Sequence, residues 1–197
     1  MWDERYQTDD FVYGTAPNDF LRGNLGKLPL GRVLCLAEGE GRNAVFLAEN
    51  GFVVTAVDQS SVGLAKAERL AARRDVAIDT VVADLADFRS EPGEWDAIVS
   101  IFAHMPPTVR RHIHREVVNG LRPGGMFLLE AYRPAQLQLG TGGPPVAEMM
   151  MDLDGLRDEL AGLEFDFTAE TEREIHEGDL HDGVGAVVQV LARKPYV

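Results

Sequence analysis

The sequence has little of what crosses membranes or forms covalent cross-links. Its one cysteine, Cys35, excludes a disulfide within the chain. No apolar run approaches the roughly 20 residues that a membrane-spanning helix needs, so we expect no membrane association. The first residues lack the basic and then apolar pattern of a secretory signal, and we therefore expect a cytoplasmic location. No group of histidines or acids has the spacing of metal ligands, so we expect no metal.

Positive charge is also scarce. The 197 residues include 19 Lys and Arg against 32 Asp and Glu, a formal net charge of −13 at pH 7. A surface this acidic repels phosphate backbones, which argues against nucleic acid as a partner. The content of 45% hydrophobic and 26% charged residues is ordinary for a globular protein, and the length suits a single domain.

Short apolar strands and helices alternate along the first two thirds of the chain. Strands are predicted at 32–37, 52–57, 78–82, 97–102 and 126–129, with helices at 42–50, 60–74 and 107–121. The strands are apolar on both faces, which is typical of a parallel sheet covered by helices on both sides.

The end of the chain has a different pattern. Residues 165–175 alternate, with Phe165, Phe167 and Ile175 on one face and acids on the other, while 183–192 is almost continuously apolar. These patterns predict an antiparallel hairpin with its first strand at the sheet edge and its second strand buried. The predicted fold is therefore α/β and doubly wound, a mostly parallel sheet of seven strands with a C-terminal antiparallel β-hairpin and helices on both faces.

A glycine-bearing loop, Gly39-Glu40-Gly41, follows the first predicted strand. Such a loop lets backbone approach a ligand closely, and the N–H groups of the helix after it can bind an anionic group. The next strand ends at Asp58, 19 residues beyond Gly39, where a carboxylate can accept from both hydroxyls of a ribose. The arrangement indicates an adenosine-containing cofactor, although a tight turn alone would also use the glycines. It does not by itself separate a nicotinamide cofactor from S-adenosylmethionine.

Four segments carry a resemblance to a known family: 33–43 (VLCLAEGEGRN), 57–60 (VDQS), 83–85 (ADL) and 121–125 (LRPGG). With them the chain resembles the class I S-adenosylmethionine-dependent methyltransferases over about residues 30–195. Within that family it is similar to small-molecule enzymes of the tellurite-resistance and thiopurine type. The resemblance implies a Rossmann-like fold and S-adenosyl-L-methionine as cofactor, with S-adenosyl-L-homocysteine as product. A dehydrogenase would need a further half or a substrate domain, for which the chain has little room.

The resemblance also implies which residues bind the cofactor. Ala37, Gly39 and Gly41 would line its methionine end, Asp58 would bind the ribose, and Asp84 would receive the adenine amino group. The full expected set is Ala37, Glu38, Gly39, Gly41, Asn43, Asp58, Gln59, Asp84, Leu85, Ile101 and Phe102. The chain departs from the family pattern at Cys35, where an acid is common, and at Ala37, where a glycine is common. Glu38 or Glu40 could replace the missing acid.

Two further segments invite a functional interpretation. The aromatic N-terminus (Trp2, Tyr6 and Tyr13) is expected to form a lid over the cofactor, with ordinary helix packing as the alternative. The Gly- and Pro-rich stretch after the fifth strand (Tyr132, Gly142 and Gly143) is expected to bind the acceptor, with a plain solvent loop as the alternative. The single domain of residues 1–197 thus divides into a lid segment (1–29), a cofactor-binding core (30–130), an acceptor loop and helix (131–164) and a hairpin (165–197).

The expected reaction is methyl transfer to a small-molecule acceptor by direct in-line displacement. A thiol, a chalcogen oxyanion or a similar soft nucleophile needs no general base, whereas an alcohol or neutral amine does. His104, directly after the fourth strand, is the one candidate base, although a structural histidine is the alternative. Two other functions stay open: a non-catalytic S-adenosylmethionine-binding protein and a nicotinamide-dependent oxidoreductase. The chain is expected to be a monomer or a homodimer.

Overall fold

The computed structural model describes residues 2–178 and 182–196, which form one seven-stranded sheet. The strands are β1 (Arg32–Leu36), β2 (Val53–Asp58), β3 (Asp79–Val82), β4 (Trp95–Ile101), β5 (Leu121–Tyr132), β6 (Glu164–His176) and β7 (Asp182–Arg193). Their order is β3-β2-β1-β4-β5-β7-β6, and only β7 runs antiparallel to its neighbours β5 and β6. The predicted fold class is confirmed.

Helices pack on both faces of the sheet. They are α1 (Trp2–Tyr6), α2 (Asp19–Asn24), α3 (Arg42–Glu49), α4 (Ser61–Arg73), α5 (Pro107–Gly120) and α6 (Leu153–Glu159). Along β4, Ile98 joins the core beneath α5 and α6, while Val99 joins the core beneath α2, α3 and α4. Each central strand therefore contributes side chains to both cores. Within the described residues, no helix is long and apolar enough to cross a membrane.

Two helix starts follow directly from the local sequence. The Ser60 hydroxyl accepts from the backbone N–H of Gly63 at 3.0 Å and caps the start of α4. The Asn18 side chain accepts from the N–H of Leu21 at 3.0 Å and begins α2. These caps matter for function because both helices start beside the carboxyl edge of the sheet.

The hairpin has the predicted order, with β7 buried between β5 and the edge strand β6. The prediction that Phe165 and Phe167 share a face is wrong. The register shifts between them, so that Phe165 pairs with Ala192 and Phe167 with Leu191. The extra residue of this bulge turns Phe165 toward one core and Phe167 toward the Phe20 ring on the other face.

Candidate active site

The site lies where the strand order reverses, between β1 and β4. Loops leave these two strands in opposite directions, which opens a crevice at their carboxyl ends. Ala37 and Phe102 follow the two strands, and both have left-handed backbone, with φ of +49° and +51°. Residues with a Cβ atom rarely adopt this conformation, and it clusters at functional sites. Ile101, also in the expected set, is the last residue of β4 and is buried.

The glycines of the loop after β1 permit two close approaches. A Cβ atom on Gly41, which has φ of +89°, would overlap Ala67 of α4. A Cβ atom on Gly39 would lie 2.6 Å from the Tyr6 hydroxyl oxygen. Glycine is therefore required for α4 and the N-terminal segment to pack on this loop.

Asp58 at the end of β2 faces the same loop. Its Oδ2 accepts from the backbone N–H of Gly39 at 2.9 Å, and its Oδ1 accepts from the N–H of Ser60 at 2.8 Å. Burial raises the pKa of this carboxyl, although these hydrogen bonds act in the opposite direction. A carboxylate oxygen has two lone pairs, so each keeps acceptor capacity for a ribose hydroxyl. The two acceptor oxygens of Asp58 thus fit the hydroxyl groups of a nucleoside.

The start of α3 differs from the sequence-based expectation. Oε1 of Glu38 accepts from the backbone N–H groups of Asn43 and Ala44, at 3.0 and 2.7 Å. The expectation that these N–H groups bind an anionic ligand is therefore wrong, because a side chain of the protein already caps them. Burial raises the pKa of Glu38 to about 7.

The residues expected at the adenine end adjoin Asp58. Gln59 follows Asp58 and is exposed, and the backbone N–H of Ala83 donates to the backbone carbonyl of Asp58 at 2.9 Å. The next two residues are Asp84, which is exposed, and Leu85, which is buried. The structure thus brings Asp58, Gln59 and Asp84 to one end of the crevice.

Residues 2–13, called the lid below, cover the glycine loop. The Trp2 and Tyr6 rings stack at 5.8 Å, and Tyr13 meets Tyr6 edge-on at 6.4 Å. Lys66 of α4 holds the lid from beneath, since its Nζ donates to the carbonyls of Thr8 at 3.0 Å and Asp10 at 2.6 Å.

The same lysine connects the lid to the glycine loop. Lys66 forms a buried ion pair with Glu40, whose other carboxylate oxygen accepts from the backbone N–H of Tyr13 at 3.2 Å. Because Tyr6 is only 5% exposed, its hydroxyl is desolvated and its pKa is raised. The three aromatic residues predicted for a lid therefore lie together over the loop.

The side of the crevice at which we expect the acceptor has an aromatic floor. The Tyr132 ring lies 4.7 Å from the Phe102 ring and 5.5 Å from the His104 ring. Gly143 packs against Tyr132, and the Gly142 carbonyl accepts from the Gln136 side chain at 3.1 Å. Tyr132 ends β5 instead of starting the acceptor loop, since the strand runs on to that residue.

His104 has a different setting from that of a free base. The backbone N–H of Tyr132 donates to its Nε2 at 3.0 Å. A ring nitrogen that accepts a hydrogen bond has its lone pair engaged, and the proton of the neutral ring is then on Nδ1. His104 is therefore placed to orient Tyr132.

Sequence reasoning missed a buried polar cluster beside this floor. We call it the arginine–glutamate cluster, and its members are Asn18, Arg42, Glu130, Arg173, Glu177 and Gln189. One signal was available: Glu130 is the only acid in the apolar run of β5, and it is fully buried. Among the residues that the structure describes, no group of three His, Cys, Asp or Glu side chains is arranged to hold a metal ion.

Comparison with known proteins agrees with this geometry. Residues 33–125 match the family model of the methyltransferase domain. The chain is 31% identical to the glycine N-methyltransferase of Rattus norvegicus over 130 residues. This match covers 58% of this chain and 44% of the relative. The chain thus spans less than half the length of that curated relative.

Solved structures share the fold over nearly the whole chain. A structure from work on the conversion of a disulfide bond into a thioacetal group during echinomycin biosynthesis superposes with a TM-score of 0.80 at 18% identity. That match covers 99% of this chain and 91% of the other. TehB from Haemophilus influenzae superposes with a TM-score of 0.68 at 21% identity, covering 98% of this chain and 65% of TehB. Residues 33–125 are thus similar in sequence to a methyltransferase domain, and the chain as a whole shares the fold of these solved structures.

Proposed function

We propose that this chain transfers the methyl group of S-adenosylmethionine to a small-molecule acceptor by direct in-line displacement. The observation that carries the proposal is Asp58, a nearly buried carboxylate with spare acceptor capacity at the mouth of the crevice between β1 and β4. When bound, the cofactor supplies a methyl group that its sulfonium has already activated, so the protein mainly aligns reactants and excludes water.

The residues of the chain divide these tasks. Asp58 accepts hydrogen bonds from the ribose, and Asp84 receives the adenine amino group. The lid closes over the methionine end and excludes water, while Tyr6 and Tyr13 present aromatic faces to positive charge. Phe102 and Tyr132 form the floor on which the acceptor lies.

The acceptor we favour is a soft nucleophile, a thiol or a chalcogen oxyanion, because His104 Nε2 is engaged and a soft nucleophile needs no base. The sequence relative named as a glycine N-methyltransferase supports a small amine as the second candidate. Such an acceptor would reach the site as the free amine, already deprotonated in solution. We further propose that the chain acts as a monomer or a homodimer.

The test is a turnover screen with purified protein that follows S-adenosylhomocysteine production across small thiols, selenite, tellurite and small amines. Turnover of at least one acceptor is expected. Protein that binds the cofactor and turns over none of them would indicate a non-catalytic binding protein instead.

Cofactor binding has its own test by calorimetry with S-adenosylhomocysteine and with NADH. Asp58→Asn should weaken S-adenosylhomocysteine binding at least tenfold, because its amide keeps only one acceptor oxygen. Asp79→Asn, an exposed aspartate at the start of β3, is the matched control and should bind normally. Tighter binding of NADH than of S-adenosylhomocysteine would overturn the proposal in favour of an oxidoreductase.

A further inference from the structure

The arginine–glutamate cluster is built from four separate parts of the chain. Arg42 begins α3, Glu130 lies near the end of β5, Arg173 lies on β6, and Glu177 follows β6. The exposed fractions of Arg42, Glu130 and Glu177 are 7%, 0% and 6%. Two arginines balance two glutamates, so the cluster is close to neutral. Burying such a set is costly unless every polar atom has a partner.

Every carboxylate oxygen of the cluster has a donor. Oε1 of Glu130 accepts from Arg173 Nε at 3.0 Å, and its Oε2 accepts from Gln189 at 2.7 Å. Oε1 of Glu177 accepts from Asn18 Nδ2 at 2.9 Å, and its Oε2 accepts from Nη2 of Arg42. Each of the four carboxylate oxygens thus has at least one donor within the cluster.

One donor is left over. Nη1 of Arg42 is buried and has no hydrogen-bond partner among the described residues. A buried donor without an acceptor costs about 1–3 kcal/mol, more when it is charged. Glu177 meanwhile holds the guanidinium in place through Nη2. The cluster therefore holds the Arg42 guanidinium in place through Nη2, while Nη1 of the same group has no acceptor among the described residues.

The cluster borders the acceptor side of the crevice. Glu177 is followed by Gly178, where a Cβ atom would overlap Val12 and Tyr13 of the lid. Arg173 and Glu177 also lie close enough to the Tyr132 hydroxyl to influence its pKa, which burial raises. Arg42, with its unpartnered Nη1, thus belongs to a cluster that lies between the lid and the aromatic floor.

We propose that Arg42 determines acceptor specificity by binding a carboxylate of the methyl acceptor through Nη1. The inference rests on the proposed function and adds the chemical class of the acceptor. A planar guanidinium already fixed by Glu177 loses little freedom on binding, and charge-assisted hydrogen bonds are about twice as strong as neutral ones. Acceptors that carry a carboxylate are therefore preferred over neutral analogues.

The experiment compares 3-mercaptopropionate with its methyl ester, which has the same thiol but no charge. For the wild-type protein, kcat/KM should be at least tenfold higher for the acid than for the ester. Arg42→Gln should remove this preference by lowering turnover of the acid, while turnover of the ester stays within threefold. Arg22→Gln, on the exposed face of α2, is the matched control and should keep the preference.

Binding measurements separate the possible failures. Calorimetry of S-adenosylhomocysteine should give the same affinity for wild type and Arg42→Gln. A tenfold loss there, without a loss for 5′-methylthioadenosine, would show that Arg42 holds the carboxylate of the cofactor, and would overturn the proposal. Equal turnover of acid and ester by the wild type would overturn it as well.

Two controls keep the test decisive. If neither thiol is turned over, their binding to protein saturated with S-adenosylhomocysteine is measured by calorimetry. Binding of the acid alone would uphold the carboxylate site even though the proposed function had failed. If Arg42→Gln does not fold, Arg42→Lys is measured instead. It keeps the positive charge but lacks the planar guanidinium with its second donor nitrogen, and it should reduce the preference for the acid over the ester at least threefold.

Discussion

Ala37 and Phe102 directly follow two neighbouring parallel strands and share the same left-handed conformation, with φ angles of +49° and +51°. Both carry a Cβ atom, so each stores roughly 1–2 kcal/mol of backbone strain. The two residues flank the crevice from opposite sides, one after β1 and one after β4. The strain is thus concentrated at the point where the strand order reverses and where a ligand has to approach the backbone.

Ala37→Gly should stabilise the protein by about 1 kcal/mol, because glycine adopts a positive φ without steric cost. Urea unfolding at pH 7.5 measures this change in the free energy of unfolding. Ala65→Gly, at an exposed position inside α4, should instead destabilise by about 1 kcal/mol. Equal losses at the two positions would show that Ala37 is not strained.

Lys66→Met should destabilise the protein by about 3 kcal/mol, because it leaves the Glu40 carboxylate buried without its cation. It should also free the lid, since the carbonyls of Thr8 and Asp10 lose their donor. Limited proteolysis should then cut within the lid far faster than in the wild type.

The double variant Lys66→Met with Glu40→Gln provides the control for this prediction. It removes the unpaired charge of the Glu40 carboxylate and should recover more than half of the lost stability. The lid should nevertheless remain accessible to protease. If the double variant protected the lid as well as the wild type does, another contact would have to hold it.

The fold was predictable because its signals are local and periodic. The strands of the parallel half contain continuous apolar runs, and Ser60 stands one residue before α4, where a cap is expected. The position of Asp58 was equally accessible, since a carboxylate at the end of a strand lies at the carboxyl edge of the sheet. These features depend on residues that are close in sequence.

The features that sequence reasoning missed depend on contacts that leave no periodic pattern in the sequence. The bulge between Phe165 and Phe167 depends on pairing with β7. The Glu38 side chain caps α3 by accepting from N–H groups five and six residues further along the chain. These N–H groups are then not available to a ligand, as they would be at an uncapped helix terminus. The Arg42–Glu177 pair joins residues 135 positions apart. No periodic pattern records such contacts.

Glu159 should make the protein sensitive to acid. Burial acts to raise its pKa, but hydrogen bonds from His114 and Arg110, together with their positive charges, lower it to about 2. A glutamate in the unfolded chain has a pKa of about 4.3. The unfolded state therefore binds more protons over this range, and the stability that Glu159 contributes is lost as pH falls from about 4.5 to 2.

Glu159→Gln tests this contribution. After allowance for solvent screening, its destabilisation relative to wild type should be on the order of 2 kcal/mol at pH 7 and should shrink toward pH 2. Denaturant unfolding at a series of pH values measures the difference. Glu91→Gln, at an exposed position, should show no such trend. A difference that is independent of pH would contradict the lowered pKa.

His104→Asn should leave the pH profile of methyl transfer unchanged while lowering the rate. The asparagine carbonyl can still accept from the backbone N–H of Tyr132, which in the wild type donates to Nε2 of His104 at 3.0 Å. The loss of ring packing against Tyr132 should misplace the floor and reduce kcat roughly three- to tenfold. A general base would behave differently, because its removal would lower the rate by 10²–10⁴-fold and abolish an acidic limb near pH 6.5. The rate of S-adenosylhomocysteine production between pH 5.5 and 9 therefore decides whether His104 orients Tyr132 or accepts a proton from the acceptor.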